Sequence, residues 1–253
     1  MQPPTVDVFP AYDKKRRSSR GLKKLVYNLS PFPLHTLQSL VFEGRLSLVR
    51  LRSRGASRQF EGARDLMVNV GPGHGGQPGW VNIDIFDAPG ITCVYDCRKS
   101  LPFPDGSVRG IFTEHVFEHI DYTEEAPYFL SECYRVLQPG GVLRIIVPDA
   151  ELYLKAYSEG EWAPLEAIRD LAPDHVDPHN GSRYNTRMEL INVIFRQGQE
   201  HKFAYDYETL SLLLQRSGFS DVRRQGCGES VLEGLAIDKP SRAPESLYVE
   251  AVK

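Results

Sequence analysis

The sequence predicts an α/β protein: a doubly wound, mostly parallel, seven-stranded Rossmann-like sheet with a late antiparallel strand pair, a helical insertion and an N-terminal extension. Three observations carry this. Short apolar runs recur from residue 66 onward, each closed by a glycine turn or an acid. Helical periodicity separates several of them, which implies a parallel sheet covered on both faces. Two late segments, 222–224 and 246–252, read as a strand pair at the sheet edge.

The elements follow in order. Residues 1–20 are rich in Pro and then basic (Lys14, Lys15, Arg16, Arg17, Arg20), a composition that favours poor order. Residues 33–53 place Leu34, Leu37, Leu40 and Val41 at helical spacing, and Gly44 predicts a break, giving one or two short helices that cap the main domain or lie on a surface. Leu66–Val70 is the first strand, followed by Gly71-Pro-Gly-His-Gly-Gly76; Trp80–Asp84, Ile91–Tyr95 and Val108–Thr113 are the next three. Residues 123–137 predict a helix with Thr123 as its cap and Phe129, Leu130, Cys133, Val136 and Leu137 on one face, ended by Gln138-Pro-Gly-Gly141. Val142–Val147 is a β-branched strand, 150–200 a helical and loop-rich insertion, and 207–217 a helix capped by Asp206.

Composition narrows the function classes. The 253 residues are 41% hydrophobic and 25% charged, as in ordinary soluble proteins. Four Cys are too few for a disulfide scaffold, and no apolar run approaches the length of a spanning helix. The opening residues lack an apolar stretch after their charges, so no secretory signal is expected and the expected location is cytoplasmic. The net charge of −3 hides a split: residues 1–64 hold 13 basic against 4 acidic residues (+9), residues 65–253 hold 17 against 29 (−12). A basic extension of this kind is either a solvated arm that pairs with the acidic body or a contact for something anionic, a nucleic acid or a membrane surface included.

The main chemical signal is the strand, glycine loop, strand and acid at 66–84. Glycines let a ligand approach the backbone at the carboxyl end of a strand, and Asp84, ending the next strand, can accept both hydroxyl protons of a ribose. Gly73 and Asp84 are 11 residues apart, against about 20 in a dinucleotide fingerprint. Residues 74–79 also cannot form the helix N-terminus that a pyrophosphate site needs.

Three runs, VNVGPGHGGQPGWVNIDI, YDCRKSLPFPDGSVRGIFTEHVFEHI and FLSECYRVLQPGGVLRIIVPD, closely resemble the class I S-adenosylmethionine-dependent methyltransferases, in the methyltransferase type 11-like branch. The resemblance spans about residues 66–252 and implies S-adenosylmethionine as cofactor. It implies that Val70, Gly71, Pro72 and Gly73 pass beside the methionine and ribose part, that Asp84 and Ile85 meet the ribose, that Asp96 accepts from the adenine amino group beside Cys97, and that Glu114 and His115 border the methionine part and the methyl group. The connection from the first strand to the second has no room for the family's usual helix. The segment His201–Asp206 and the tail Ser241–Tyr248 resemble, more loosely, members encoded with carbohydrate-assembly enzymes.

The acceptor side rests on weaker signals. A general base for an oxygen acceptor would be a His or a carboxylate; His115, His119 and Asp149 are the catalytic candidates. His119 is alternatively a capping or packing residue, and Asp149 alternatively the N-cap of the next helix. His175, His179, Tyr184, Arg187, His201 and Tyr205 are the substrate candidates in a lid at about 150–205, where aromatic faces suit sugar rings and Arg suits anions; ordinary packing explains them equally. The order His115-x-x-Glu118-His119 suggests an inverted zinc motif, which needs a long helix around it and a third ligand; an apolar strand runs straight into it here and the methyltransferase resemblance explains it better, so no metal is expected. The expected domains are a basic extension at 1–64 and a methyltransferase domain at 65–253. The expected activity is methyl transfer to a small-molecule or saccharide acceptor at oxygen. The alternatives are a nucleic-acid methyltransferase, opposed by the acidic body and the absence of an Asn-Pro-Pro-aromatic motif, and a non-catalytic cofactor-binding module.

Overall fold

A computed structural model of the chain describes residues 30–177 and 181–253. The basic segment 1–29 and His179 lie outside the described residues. Seven strands form one sheet: β1 (Leu66–Val70), β2 (Val81–Asp84), β3 (Cys93–Val94), β4 (Val108–Glu114), β5 (Leu137–Pro148), β6 (Asp221–Gln225) and β7 (Ser246–Val252). Their order is β3-β2-β1-β4-β5-β7-β6. The first five run parallel, and β7 is antiparallel to both β5 and β6. The late pair therefore closes one edge, with β7 inserted beside β5.

The central strands are buried on both faces, which is why they read as continuous apolar runs. β7 alternates in sequence, yet five successive residues, Leu247 to Ala251, are buried. Leu247, Val249 and Ala251 face the main core; Tyr248 packs in a second cluster with Phe112, Val142, Ile146 and Leu235. The chain between β6 and β7 covers that second face.

Helix α1 (Leu34–Arg52) is a single 19-residue helix that passes through Gly44 without a break. One interior glycine costs only about 1 kcal/mol relative to alanine. α2 (Ala56–Gln59) is a short turn leading to Phe60, which is buried edge-on against Phe103. α3 (Glu125–Val136) buries Phe129, Leu130, Cys133 and Val136 as its periodicity predicts. Its N-cap position is Glu124, without a side-chain cap, so Thr123 does not cap it; Asp121 holds the preceding turn, its Oδ1 accepting from the Thr123 and Glu124 amides at 2.9 and 3.1 Å and from the Thr123 hydroxyl. A carboxylate can take all three donors at once, which a single hydroxyl cannot. On the same helix, Glu132 accepts from the Leu101 amide at 2.9 Å, and Arg135 donates to the Leu101 and Phe103 carbonyls. This clamps the Leu101-Pro-Phe103 run into the core and fixes the loop after β3.

Three further helices, α4 (Ala150–Ser158), α5 (Ala163–Arg169) and α6 (Arg187–Arg196), make the insertion after β5. It has its own apolar cluster of Tyr153, Leu165, Tyr184, Leu190, Ile191 and Ile194. α7 (Tyr207–Arg216) is capped by Asp206, whose side chain accepts from the Thr209 amide at 2.8 Å, as expected. Among the described residues no helix is long and apolar enough to cross a membrane.

Candidate functional site

The carboxyl ends of β2, β3 and β4 each deliver an acid to one edge of the sheet, where open α/β sheets bind ligands. Asp84 ends β2 and is buried; its Oδ2 accepts from the Gly73 amide at 2.9 Å and its Oδ1 from the Phe86 amide at 3.0 Å. An ionised carboxylate has about four lone-pair positions, so two stay open for diol protons. The link from β1 to β2 is a loop of turns without a helix, as its length predicts. Asn82 replaces the helix as its brace: the side-chain amide accepts from the Gln77 amide at 2.8 Å and donates to the Gln77 carbonyl at 2.9 Å.

Gly71 and Gly73 adopt φ of 72° and 63°, a left-handed backbone. A Cβ on Gly71 would collide with Val116 Cγ2. These features fit a cofactor that lies along bare backbone and hangs its ribose on Asp84. Gly71→Ala is expected to lower the melting temperature by about 5 °C, from roughly 1–2 kcal/mol of left-handed strain plus the clash. Adding Val116→Ala should return part of that loss; a single variant with an unchanged melting curve would contradict the close packing.

Asp96 follows β3 and is almost fully buried. Its Oδ1 accepts from the Arg98 amide at 3.2 Å and Arg98 Nε at 3.0 Å; its Oδ2 accepts from Arg50 Nε at 2.8 Å and Arg98 Nη2 at 3.1 Å. Burial opposes the charge, but the hydrogen bonds and charges of Arg98 and Arg50 outweigh it, so this carboxyl titrates below the ordinary aspartate range. Arg50 belongs to α1, and Glu43 of the same helix pairs with Arg98 at 3.2 Å. Leu46 is the only residue of α1 that is fully buried among its described side chains. Helix α1 is thus docked by ion pairs onto the loop expected to hold adenine, and a cavity of 230 Å³ lies between them, lined by Arg50, Ser57, Tyr95 and Asp96 among others. Behind it, burial pushes the Cys97 thiol up to about 12.

Glu114 ends β4 and shares a small cavity of 60 Å³ with Asn69, Gly71, Pro72 and Lys239. Its carboxylate accepts from the Lys239 amide at 3.0 Å and pairs with Lys239 Nζ at 3.2 Å. His115 turns the chain at φ 55°, with Nε2 2.9 Å from Ser246 Oγ and Nδ1 3.4 Å from Glu118 Oε1. Val70 is buried in register with Ile83 and Thr113, and Ile85 follows Asp84 half-buried. The fold therefore brings Gly71, Pro72 and Glu114 together, joins Gly73 to Asp84, and sets Asp96 apart under α1.

The acceptor-side candidates divide. Asp149 is spent as the N-cap of α4, its Oδ1 accepting from the Leu152 amide at 3.3 Å while its Oδ2 holds Arg224. Burial raises its pKa, with the Leu152 and Arg224 contacts acting against this. That arrangement favours capping over proton abstraction. Tyr184 is a core residue of the insertion, with its hydroxyl on Asp177 at 3.1 Å. Tyr205 is completely buried against Phe117 and Phe203, so it presents no face to a sugar. Arg187 lies over the Tyr157 ring and donates to the Tyr157 carbonyl at 3.1 Å. His175 stacks on Trp162 at 3.8 Å and meets Glu166 at 2.7 Å. His119 and His201, in contrast, come together edge to face at 4.8 Å beside Glu118.

Motif reading does not find Arg50 and Lys239, which meet the candidate acids Asp96 and Glu114. Arg50 and Lys239 carry no local signal, because each reaches its acid across the fold; Glu118 stood in view inside the His-x-x-Glu-His run.

Known proteins are similar to this chain over parts of its length. The methyltransferase domain family matches residues 85–145. A probable S-adenosylmethionine-dependent methyltransferase of Mycolicibacterium smegmatis is 34% identical over 77 residues, a stretch that is 30% of this chain and 27% of that protein. The chain thus spans about a quarter of the curated relative it matches. Among solved structures, a SAM-dependent methyltransferase from Archaeoglobus fulgidus is similar with a TM-score of 0.42 and 19% identity, over 85% of this chain and 99% of that one. Phosphoethanolamine N-methyltransferase 2 of Haemonchus contortus is similar at 0.42 and 13%, over 76% and 49%. The segment that is similar to the methyltransferase domain family runs from the end of β2 through β3, β4 and α3 into β5, and so includes Asp96, Glu114 and His115.

Proposed function

We propose that the chain transfers the methyl group of S-adenosylmethionine to an oxygen of a small-molecule or saccharide acceptor. The observation that carries this reading is the Asp84 carboxylate, with two lone-pair positions open beside left-handed glycines at the carboxyl edge of the sheet. The cofactor supplies a methyl group already activated by its sulfonium. The protein's work is then to align an oxygen with that methyl and keep water out. In the reaction an oxygen lone pair forms the new bond to carbon, the carbon–sulfur pair returns to sulfur, and the oxygen's proton goes to a base. His115, next to the methionine-side acid Glu114, is the proposed proton acceptor, since Asp149 is engaged in capping. The insertion at 150–205 is proposed to close over the acceptor.

Adenine is proposed to share Asp96 with Arg50. Arg50 competes for Oδ2 and places a positive charge near a cofactor that bears a sulfonium and an ammonium. Arg50→Ala is therefore expected to tighten S-adenosylmethionine binding about 2- to 5-fold, the range of a partly exposed ion pair, measured by calorimetry. Weaker binding would instead make Arg50 part of the adenine site.

The activity itself is tested with methyl-labelled S-adenosylmethionine and panels of hydroxylated small molecules, saccharides and RNA. Label on a small molecule or saccharide oxygen is the expected result. Label on RNA alone, or cofactor binding without transfer to any acceptor, would overturn the reading.

A further inference from the structure

The turn after β4 carries a group that methyl transfer does not account for. Glu118 is 1% exposed, and its carboxylate makes no close hydrogen bond among the described residues, His115 Nδ1 at 3.4 Å being a long contact. Bringing an ionised carboxylate out of water without partners is costly, so such a group is expected to face a cation. Three imidazoles surround it. His115 Nδ1 stands 3.4 Å from Oε1 and His201 Nε2 at 4.0 Å, and ligand atoms of Glu118, His119 and His201 lie within 4.8 Å of one another.

The local structure builds this convergence. Phe117–His119 is a 3-10 turn locked by Phe117, which is fully buried between Phe129 and Tyr205. The Glu118 carbonyl accepts from the amides of Lys202 at 2.7 Å and Phe203 at 3.3 Å, which zips segment 201–203 onto the turn. His201 is thereby delivered to the carboxylate. It is the third ligand that the His-x-x-Glu-His run lacks on its own.

The two histidines are also tautomerically prepared. His201 Nδ1 lies 2.6 Å from the Ile194 carbonyl, and His119 Nδ1 lies 3.2 Å from the Glu200 carbonyl. A carbonyl only accepts, so each Nδ1 carries a proton, and in the neutral ring Nε2 then holds the lone pair. Metal-bound imidazoles are oriented by this same kind of second bond. His119 is partly exposed, which leaves a way in from solvent.

We propose that Glu118, His119 and His201 form a binding site for one divalent transition ion, of the zinc, cobalt or manganese kind. Two imidazoles and one carboxylate suit these ions, and three protein ligands leave positions for water or an acceptor oxygen. Metal–ligand bonds near 2.0–2.2 Å set tetrahedral edges of about 3.4 Å, so the three side chains need to draw in by about 1 Å. Binding of the ion stands apart from the proposed activity; its use, to hold an acceptor hydroxyl and ease loss of its proton to His115, rests on that reading.

The test uses the full chain, stripped with chelator, and titrated with Zn²⁺ by calorimetry and with Co²⁺ by visible absorption. One ion per chain is expected, with a dissociation constant of about 10 µM or tighter, near −7 kcal/mol, and cobalt bands typical of nitrogen and oxygen ligands. Glu118→Gln and His201→Ala should each weaken binding at least about 100-fold. His119→Ala, at the partly exposed ligand, should do so with an unchanged circular dichroism spectrum and melting curve. Absence of saturable binding in the unaltered chain would overturn the site, as would His119→Ala and Glu118→Gln variants that bind the ion as tightly as the unaltered chain does. S-adenosylmethionine affinity measured on the same His119→Ala sample separates the two readings: it should be unchanged, and a wild-type chain that binds the ion but no cofactor would sink the methyltransferase reading and leave the metal site standing.

Discussion

Asp84→Ala is expected to weaken S-adenosylmethionine binding by about 100-fold, read by calorimetry on the full chain. The carboxylate does two things. Its open lone pairs would accept the ribose hydroxyls, and hydrogen bonds to a charged acceptor are worth about 1.5–3 kcal/mol each. Its occupied lone pairs hold the Gly73 amide at 2.9 Å and the Phe86 amide at 3.0 Å, so it also sets the loop on which the cofactor would lie. Alanine removes both, and the losses are not additive because they meet in one group. Asp84→Asn separates the roles: its carbonyl can keep one loop amide while the negative charge is gone, and an intermediate loss of about 10-fold is expected. Unchanged affinity in Asp84→Ala would remove Asp84 from the cofactor site. The fold should survive both changes, because β2 is paired with β1 and β3 through its backbone.

The sequence and the fold agree wherever the signal is local. The parallel strands announce themselves because burial on both faces leaves no room for polar alternation, and the acids that end them stand at the last residue of an apolar run. Asp84 and Glu114 end β2 and β4 as the apolar runs ahead of them predict, while β3 stops at Val94 and leaves Asp96 in the loop after it. The Gly44 break was not real, since a helix of 19 residues carries one glycine easily. What the sequence hid are long-range pairs. Arg50 meets Asp96 from 46 positions away, and Arg144 meets Asp238 from 94. No periodicity reports such a contact, because a charged residue looks the same on a solvated face and in a buried pair. Tyr184 and Tyr205 illustrate the converse: aromatic residues in a polar-looking insertion suggested a sugar platform, and the insertion instead uses Tyr184 to build its own core. The His-x-x-Glu-His run was visible, but its partner His201 is placed by the backbone bonds between Glu118 and segment 202–203 and by its own bond to the Ile194 carbonyl, contacts that no motif reports.

Arg144→Met is expected to be the most destabilising single change in the sheet. Arg144 sits on β5 with no exposed surface, an unusual place for a guanidinium on a strand between β4 and β7. Its Nε and Nη2 grip Asp238 at 2.8 and 2.6 Å, and its Nη1 reaches Glu250 at 3.0 Å. The remaining donors go to the Glu229 and Gly226 carbonyls at 2.7 and 3.0 Å. Methionine fills much of the volume but strands two buried carboxylates, and breaking a buried pair this way costs about 3–5 kcal/mol. For a chain of this size that is a fall of about 10 °C in melting temperature, read by calorimetry or circular dichroism. Adding Asp238→Asn and Glu250→Gln should recover about half of it, since the penalty lies in the unpaired charges more than in the lost attraction. A triple variant no more stable than the single one would place the cost in the two carbonyl contacts instead. The consequence reaches the site. Asp238 is the neighbour of Lys239, whose amide and ammonium both engage Glu114. Releasing Asp238 from Arg144 should therefore loosen the methionine end of the proposed cofactor site, weakening S-adenosylmethionine binding at temperatures where the single variant is still folded. A single variant that melts early yet binds the cofactor with full affinity would show that Lys239 is held at Glu114 without this buried anchor.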